Sequence, residues 1–134
     1  MPKASVLVAD NNSAVLDHVA KVLSTDYDVV AAVKDGTTVL SEFPRLNPDV
    51  IVLDISMGEL SGIDVARRLR DSGCNSKIIF LTVHEDADFV SAAMGVGASA
   101  YVIKSRLSVD LISAIHAVLA NKLFVSPSLL YAQE

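Results

Sequence analysis

The sequence predicts a doubly wound α/β fold, with five parallel strands in one sheet and helices on both faces. Three observations carry that expectation. Five short apolar runs recur, at 6–9, 29–33, 50–53, 78–81 and 100–103, most of them rich in β-branched residues. Their hydrophobicity is continuous rather than alternating, the habit of strands buried on both faces of a helix-covered parallel sheet. Segments with helical spacing lie between and after them, so strand and helix alternate along the chain.

In chain order, the first run ends in Asp10-Asn11, and Val15, Val19, Val22 and Leu23 then share one face of a helix. The second run is followed by Asp35-Gly36, a turn pair. Pro44 lies in the next helical segment, where it would lose a hydrogen bond and clash with the preceding turn, so a second helix that is short or kinked near Phe43 is expected. The third run ends in Asp54, and Ser61 with Asp64 three residues on is a capping-box variant opening the third helix. The fourth run leads to Thr82, and Phe89, Val90, Ala93 and Met94 form the next helical face. Lys104 follows the fifth run, and Leu111, Ile115, Val118 and Leu119 mark the last helix. The tail after Asn121, with Ser126-Pro127-Ser128, reads as the start of a linker.

Length and composition narrow the function classes. A chain of 134 residues with 51% hydrophobic content can bury one substantial core. The net charge of −5 leaves no surplus of Lys and Arg for a phosphate backbone, so binding of DNA or RNA by this chain alone is not expected. The apolar runs fall far short of the ~20 residues that span a bilayer, and no signal-peptide pattern opens the chain. The single cysteine, Cys74, excludes an intramolecular disulfide, and His18, His84 and His116 have no paired metal-ligand spacing. A cytoplasmic protein that neither enters nor binds a membrane is expected.

In a parallel sheet the strand ends share one edge, and a site is expected where those ends meet at a topological switch point. Asp10, Asn11 and Asp54 would crowd together there, an arrangement that costs repulsion and desolvation unless a cation lies between them. Hard oxygen ligands at a wet, partly open edge suit Mg2+. The hydroxyl of Thr82 and the ammonium of Lys104 are complementary groups for the oxygens of a phosphoryl group.

Four stretches now carry a family resemblance: Leu7-Val8-Ala9-Asp10-Asn11; Val52-Leu53-Asp54-Ile55-Ser56-Met57 with Gly62 eight residues after the aspartate; Leu81-Thr82; and Gly97-Ala98-Ser99-Ala100-Tyr101-Val102-Ile103-Lys104. In this order and at strand ends, they resemble the receiver domains of two-component response regulators, which have a flavodoxin-like (βα)5 three-layer sandwich. The resemblance assigns residues 1–121 to the receiver and 122–134 to a linker or C-terminal tail. It implies that Asp54 accepts a phosphoryl group from a sensor histidine kinase or a small phosphodonor. It further implies that Asp10, Asn11, Asp54 and the backbone carbonyl of Ser56 surround Mg2+, and that Thr82 and Lys104 bind phosphoryl oxygens. Tyr101 would be the aromatic switch that follows Thr82, and Ser56, Val83 and His84 would govern access to the phosphoryl group. The stretch 114–119 with Phe124-Val125-Ser126-Pro127-Ser128 is similar to receivers that precede a LuxR-type helix-turn-helix, implying a covalently linked DNA-binding output domain for which these 134 residues leave no room. A homodimer through the first or fifth helix is compatible with the helix faces.

Four positions depart from the family pattern. Asn11 stands where a second acid is usual, so Asp10 and Asp54 against Mg2+ and Lys104 leave a net charge of about +1, and weaker Mg2+ binding before phosphorylation is expected. Val83 stands where small residues are usual, and its branched side chain is expected to crowd the phosphoryl approach. Gly58 replaces a common Pro and adds backbone freedom after Asp54. Ser105 replaces a Pro after Lys104, which leaves the isomer of that peptide bond open. Asn11 and Val83 keep a second reading in play, an interaction module that works without phosphorylation. A hydrolase resembling the haloacid-dehalogenase phosphatases fits poorly, because Ser56 stands where those enzymes need a second Asp. A nucleotide-binding reading of Gly95-Val96-Gly97 fails for want of a third glycine and a preceding strand.

Overall fold

A computed structural model describes residues 3–127 and residue 129; the rest of the expected tail, 128 and 130–134, lies outside the described residues. Strands β1 (Ser5–Ala9), β2 (Asp28–Val33), β3 (Val50–Leu53), β4 (Lys77–Thr82) and β5 (Ala100–Ile103) alternate with helices α1 (Ser13–Leu23), α2 (Gly36–Leu46), α3 (Gly62–Asp71), α4 (Ala87–Gly95) and α5 (Leu107–Leu119). A sixth strand, β6 (Phe124–Val125), follows α5. The sheet is wholly parallel, in the order β2-β1-β3-β4-β5-β6. The expected architecture therefore stands with one correction, six strands instead of five. The added strand comes from the stretch that composition marks as a linker, because two residues supply too short a pattern to register as a strand.

Alternation along each strand sends successive side chains to opposite faces and so builds two cores. Val6, Val8, Val50, Val52, Ile79, Leu81 and Val102 pack under α1 and α5, against Leu16, Val19, Leu111 and Ile115. Leu7, Ile51, Leu53, Ile78, Phe80 and Tyr101 face the other way, against Val39, Val65, Leu69, Val90 and Ala93 from α2, α3 and α4. Each central strand needs apolar residues at every position, which explains the unbroken runs. The edge strand β2 is only partly buried.

Caps set where the helices start. Asn12 caps α1 by accepting from the amides of Ala14 and Val15, Asp35 caps α2 from Thr38, and Ser61 caps α3 from Asp64. The helix carrying Pro44 does not stop near Phe43: α2 runs on to Leu46, and Asn47 ends it in a left-handed conformation with its amide donating to the Phe43 carbonyl at 2.7 Å. Pro44 lies in the last turn, and the helix ends two residues beyond it. Among the described residues no peptide bond is cis, so Lys104-Ser105 is trans, and no helix is long and apolar enough to cross a membrane.

Candidate functional site

The chain leaves β1 for β2 on one side of the sheet and returns to β3 on the other, which makes the carboxyl ends of β1 and β3 the switch point. Backbone bonds hold two acids there. The Asp10 amide donates to Val33 O and the Asp54 amide to Ala9 O, each at 3.0 Å. Both residues are buried, at 1% and 4% exposure. Lys104 opens a short 3-10 turn directly after β5, and its side chain reaches back across the edge to both carboxylates. Its Nζ lies 2.7 Å from Asp10 Oδ2 and 3.2 Å from Asp54 Oδ2.

The two contacts differ in kind. Lys104 donates a hydrogen bond to Asp54 Oδ2. Asp10 Oδ1 accepts from the Asn12 amide at 2.9 Å, but Asp10 Oδ2 is buried with no aligned donor despite the close ammonium. Burial pushes the Asp54 carboxyl above the usual carboxylate range; Lys104 opposes the shift and Asp10 adds to it. Burial would lower the Lys104 ammonium, but the close contact with Asp10 and the charges of Asp54 and Asp10 outweigh it and hold the group up.

A buried carboxylate oxygen without a directed donor, beside a second buried carboxylate, fits a divalent cation bound through hard oxygens. Only two acids converge, and among the described residues no group of three or more His, Cys, Asp or Glu side chains could hold a metal. Asn11 and Ser56, both exposed next to these acids, are the remaining oxygen donors of the expected set.

Glycine shapes the loop after Asp54. The Gly62 amide donates to Ile55 O at 2.7 Å, and a Cβ on Gly62 would lie 2.0 Å from the Asp54 carbonyl oxygen. Only glycine admits so close an approach, which explains its place eight residues after the aspartate. Gly58 has φ +89°, a conformation closed to the Pro common there.

The remaining expected residues gather around His84. Thr82 ends β4 fully buried, and its Oγ1 accepts from the His84 amide at 3.3 Å. The His84 ring stacks on Phe89 at 4.2 Å between centroids, and its Nε2 lies 2.9 Å from Ser56 Oγ. The hydroxyl of fully buried Tyr101 donates to the His84 carbonyl at 2.8 Å. Burial, followed by the charges of Asp86 and Asp54, pushes that phenol up. Val83 is 64% exposed, so most of its side chain faces solvent. Sequence reasoning paired Tyr101 with Thr82 and grouped Ser56 with His84, and missed that His84 contacts Ser56, Thr82 and Tyr101 alike. It also missed Phe89 beneath the imidazole, since nothing local to that residue signals the contact.

The chain resembles characterised proteins over most of its length. It is 34% identical over 122 residues to the nitrate/nitrite response regulator protein NarP of Escherichia coli, covering 87% of this chain and 57% of NarP. A LuxR-family two-component response regulator from Aurantimonas superposes with a TM-score of 0.91 at 27% identity, over 96% of this chain and 94% of that one. The isolated REC domain of RcsB from Salmonella enterica serovar Typhimurium, in the presence of phosphomimetic BeF3-, superposes with a TM-score of 0.88 at 25% identity, over 96% and 97%. The chain spans little more than half the length of the curated relatives it matches. The model of the response regulator receiver domain matches residues 6–116, the span that holds both buried acids, Thr82 and Lys104. This chain belongs to the response regulator receiver domain family.

Proposed function

We propose that Asp54 accepts a phosphoryl group, with Mg2+ as cofactor, and that the change is passed to a partner surface in transcriptional regulation. The observation that carries this reading is the buried pair Asp10 and Asp54 sharing one ammonium, with Asp10 Oδ2 left without a directed donor. An Asp54 carboxylate oxygen attacks the phosphorus of a phosphohistidine on a sensor kinase, or of a small phosphodonor. The P–N or P–O bond to the leaving group breaks and an acyl phosphate forms. The attacking carboxylate needs no general base, so catalysis rests on positioning and charge. Asp10, Asn11, Asp54 and the Ser56 carbonyl would hold Mg2+, which supplies charge neutralisation at the phosphoryl oxygens. Lys104 and the Thr82 hydroxyl take the remaining phosphoryl oxygens, Thr82 giving up the His84 amide to do so. Tyr101, bonded to the same residue, responds. Ser56 and His84 set access to the phosphoryl group, whereas Val83, mostly in solvent, contributes at the rim.

The domain acts as a cytoplasmic signalling phosphoacceptor and not as a turnover enzyme, with slow self-dephosphorylation at most. Its net charge of −5 argues that DNA contact belongs to a linked output domain. The names of two relatives support that output, the transcriptional regulatory protein DegU of Brevibacillus brevis and RcsB, solved as dimers bound to DNA. Incubation with Mg2+ and acetyl phosphate, read by intact mass, tests the proposal. One phosphoryl group is expected on the wild type and none on Asp54→Asn. No addition to the wild type would instead support the phosphorylation-independent module, which Asn11 in place of an acid favours.

A further inference from the structure

The outer edge of β5 is covered by the tail after α5. Asn121 turns the chain in a left-handed conformation, φ 61°, and Phe124 and Val125 pair in parallel with Ala100 and Tyr101. The Phe124 amide donates to Ser99 O at 3.1 Å and the Ser126 amide to Tyr101 O at 2.9 Å. A parallel ladder would continue with the Ile103 amide donating to the Ser126 carbonyl. Here the chain turns away instead. The Ser126 carbonyl accepts from Leu129 N at 2.9 Å, and the Ser126 side chain takes its place: Oγ accepts from the buried Ile103 amide at 3.1 Å. Pro127, with no amide to donate and φ preset for a turn, follows at once. Ser126 is 0% exposed, and Leu129, 1% exposed, packs into the core cluster that contains Tyr101 and Ile103.

Ser126 thus grips both ends of the stretch that matters. One bond holds the carbonyl of Tyr101, and the other holds the amide of Ile103, the residue before Lys104. Lys104 reaches Asp10 and Asp54 from the first residue of the following turn, so its reach depends on where β5 ends. We propose that Ser126 is a positioning residue for Lys104: its hydroxyl, standing in for a strand carbonyl, fixes the end of β5 and couples the tail to the chemistry at Asp54. The inference rests on the phosphoacceptor reading above. The coupling is reciprocal, so a displacement of Lys104 by an arriving phosphoryl group changes the hold on the tail by the same free energy.

The test compares initial rates of phosphorylation by acetyl phosphate with Mg2+ in wild type, Ser126→Ala, Lys104→Met and the double variant. Failure of the wild type to phosphorylate would sink the phosphoacceptor reading itself. Given an active wild type, Ser126→Ala is expected to slow the reaction about tenfold by misplacing the ammonium. It should change little in the Lys104→Met background, where there is no ammonium left to misplace. A Ser126→Ala rate equal to wild type, or an equal loss in both backgrounds as general destabilisation predicts, overturns the proposal. A second measurement needs no substitution: hydrogen exchange at the Ser126 amide of the wild type is expected to change on phosphorylation. An unchanged exchange rate overturns the coupling even if Ser126→Ala does not fold.

Discussion

The carboxyl edge of the sheet has two halves that are built differently. Over β1 and β3 the acids are set by the backbone: ladder bonds fix Asp10 and Asp54, and the Gly62 amide locks the loop behind Asp54. Over β4 and β5 the groups are held by single hydrogen bonds outside the strand ladder. Thr82 meets the His84 amide, Tyr101 the His84 carbonyl, Ser56 the His84 ring, and Ser126 the Ile103 amide. Each such bond contributes about 0.5–1.5 kcal/mol net, so the second half can exchange partners at modest cost while the first cannot. A fixed acidic half suits a nucleophile that must stay placed. A loosely bonded half suits the part that responds.

The contrast can be broken by substitution. Gly62→Ala attacks the fixed half most directly, because its Cβ would lie 2.0 Å from the Asp54 carbonyl oxygen and the backbone must yield. A loss of about 3 kcal/mol or more in urea unfolding is expected, with loss of phosphorylation. A milder loss would mean the loop behind Asp54 is not rigid.

Lys104→Ala tests the group that joins the halves. Two buried carboxylates lose their shared cation, and metal-free chain should lose about 2–3 kcal/mol at neutral pH, since the ammonium is partly exposed and its removal admits water. Added Mg2+ is expected to recover part of that loss.

Asp54→Asn has the opposite sign. Because burial raises the Asp54 pKa in the folded chain, the ionised form destabilises the fold at pH values above the folded pKa. That penalty is relieved as pH falls through the folded pKa, and is absent below the ordinary carboxylate value. The amide should therefore stabilise metal-free protein at neutral pH, with a gain that shrinks on acidification. Urea midpoints of both proteins across pH would show it, and a gain independent of pH would contradict the assigned cause.

Tyr101→Phe should have the smallest effect on stability, about 1 kcal/mol or less, since it removes one bond to a carbonyl and keeps the ring. Its consequence belongs to the responding half. Phosphorylation by acetyl phosphate should continue near the wild-type rate, while hydrogen exchange in the loop around His84 rises. A collapse of the phosphorylation rate would place Tyr101 with the fixed half instead.

Much of this arrangement was legible in the chain. Runs such as 50–53 and 100–103 coincide with β3 and β5 because a strand covered on both faces tolerates no polar position. Asp10, Asp54, Thr82 and Lys104 stand at or beside strand ends, and parallel topology brings strand ends together. Pro44 signalled a short or kinked helix near Phe43, and α2 ends at Leu46, within one turn of the proline, whose missing amide and ring leave little helix beyond it. The tail misled because Phe124 and Val125 have no pattern of their own and become a strand only by pairing with β5.

The sequence by itself determined which residues lie inside, which strands run parallel between two layers of helix, and which polar groups end those strands. These follow from local periodicity and from the sparse polar residues in an otherwise apolar chain. Tertiary structure alone decided that Lys104 bridges both acids, that Asp10 Oδ2 lacks a directed donor, that His84 links Ser56, Thr82 and Tyr101, and that Ser126 completes the ladder at Ile103. Apart from the Thr82–His84 bond, those contacts join residues far apart in the chain through hydrogen bonds about 3 Å long. No local pattern encodes such a distance, because it depends on how every intervening element packs.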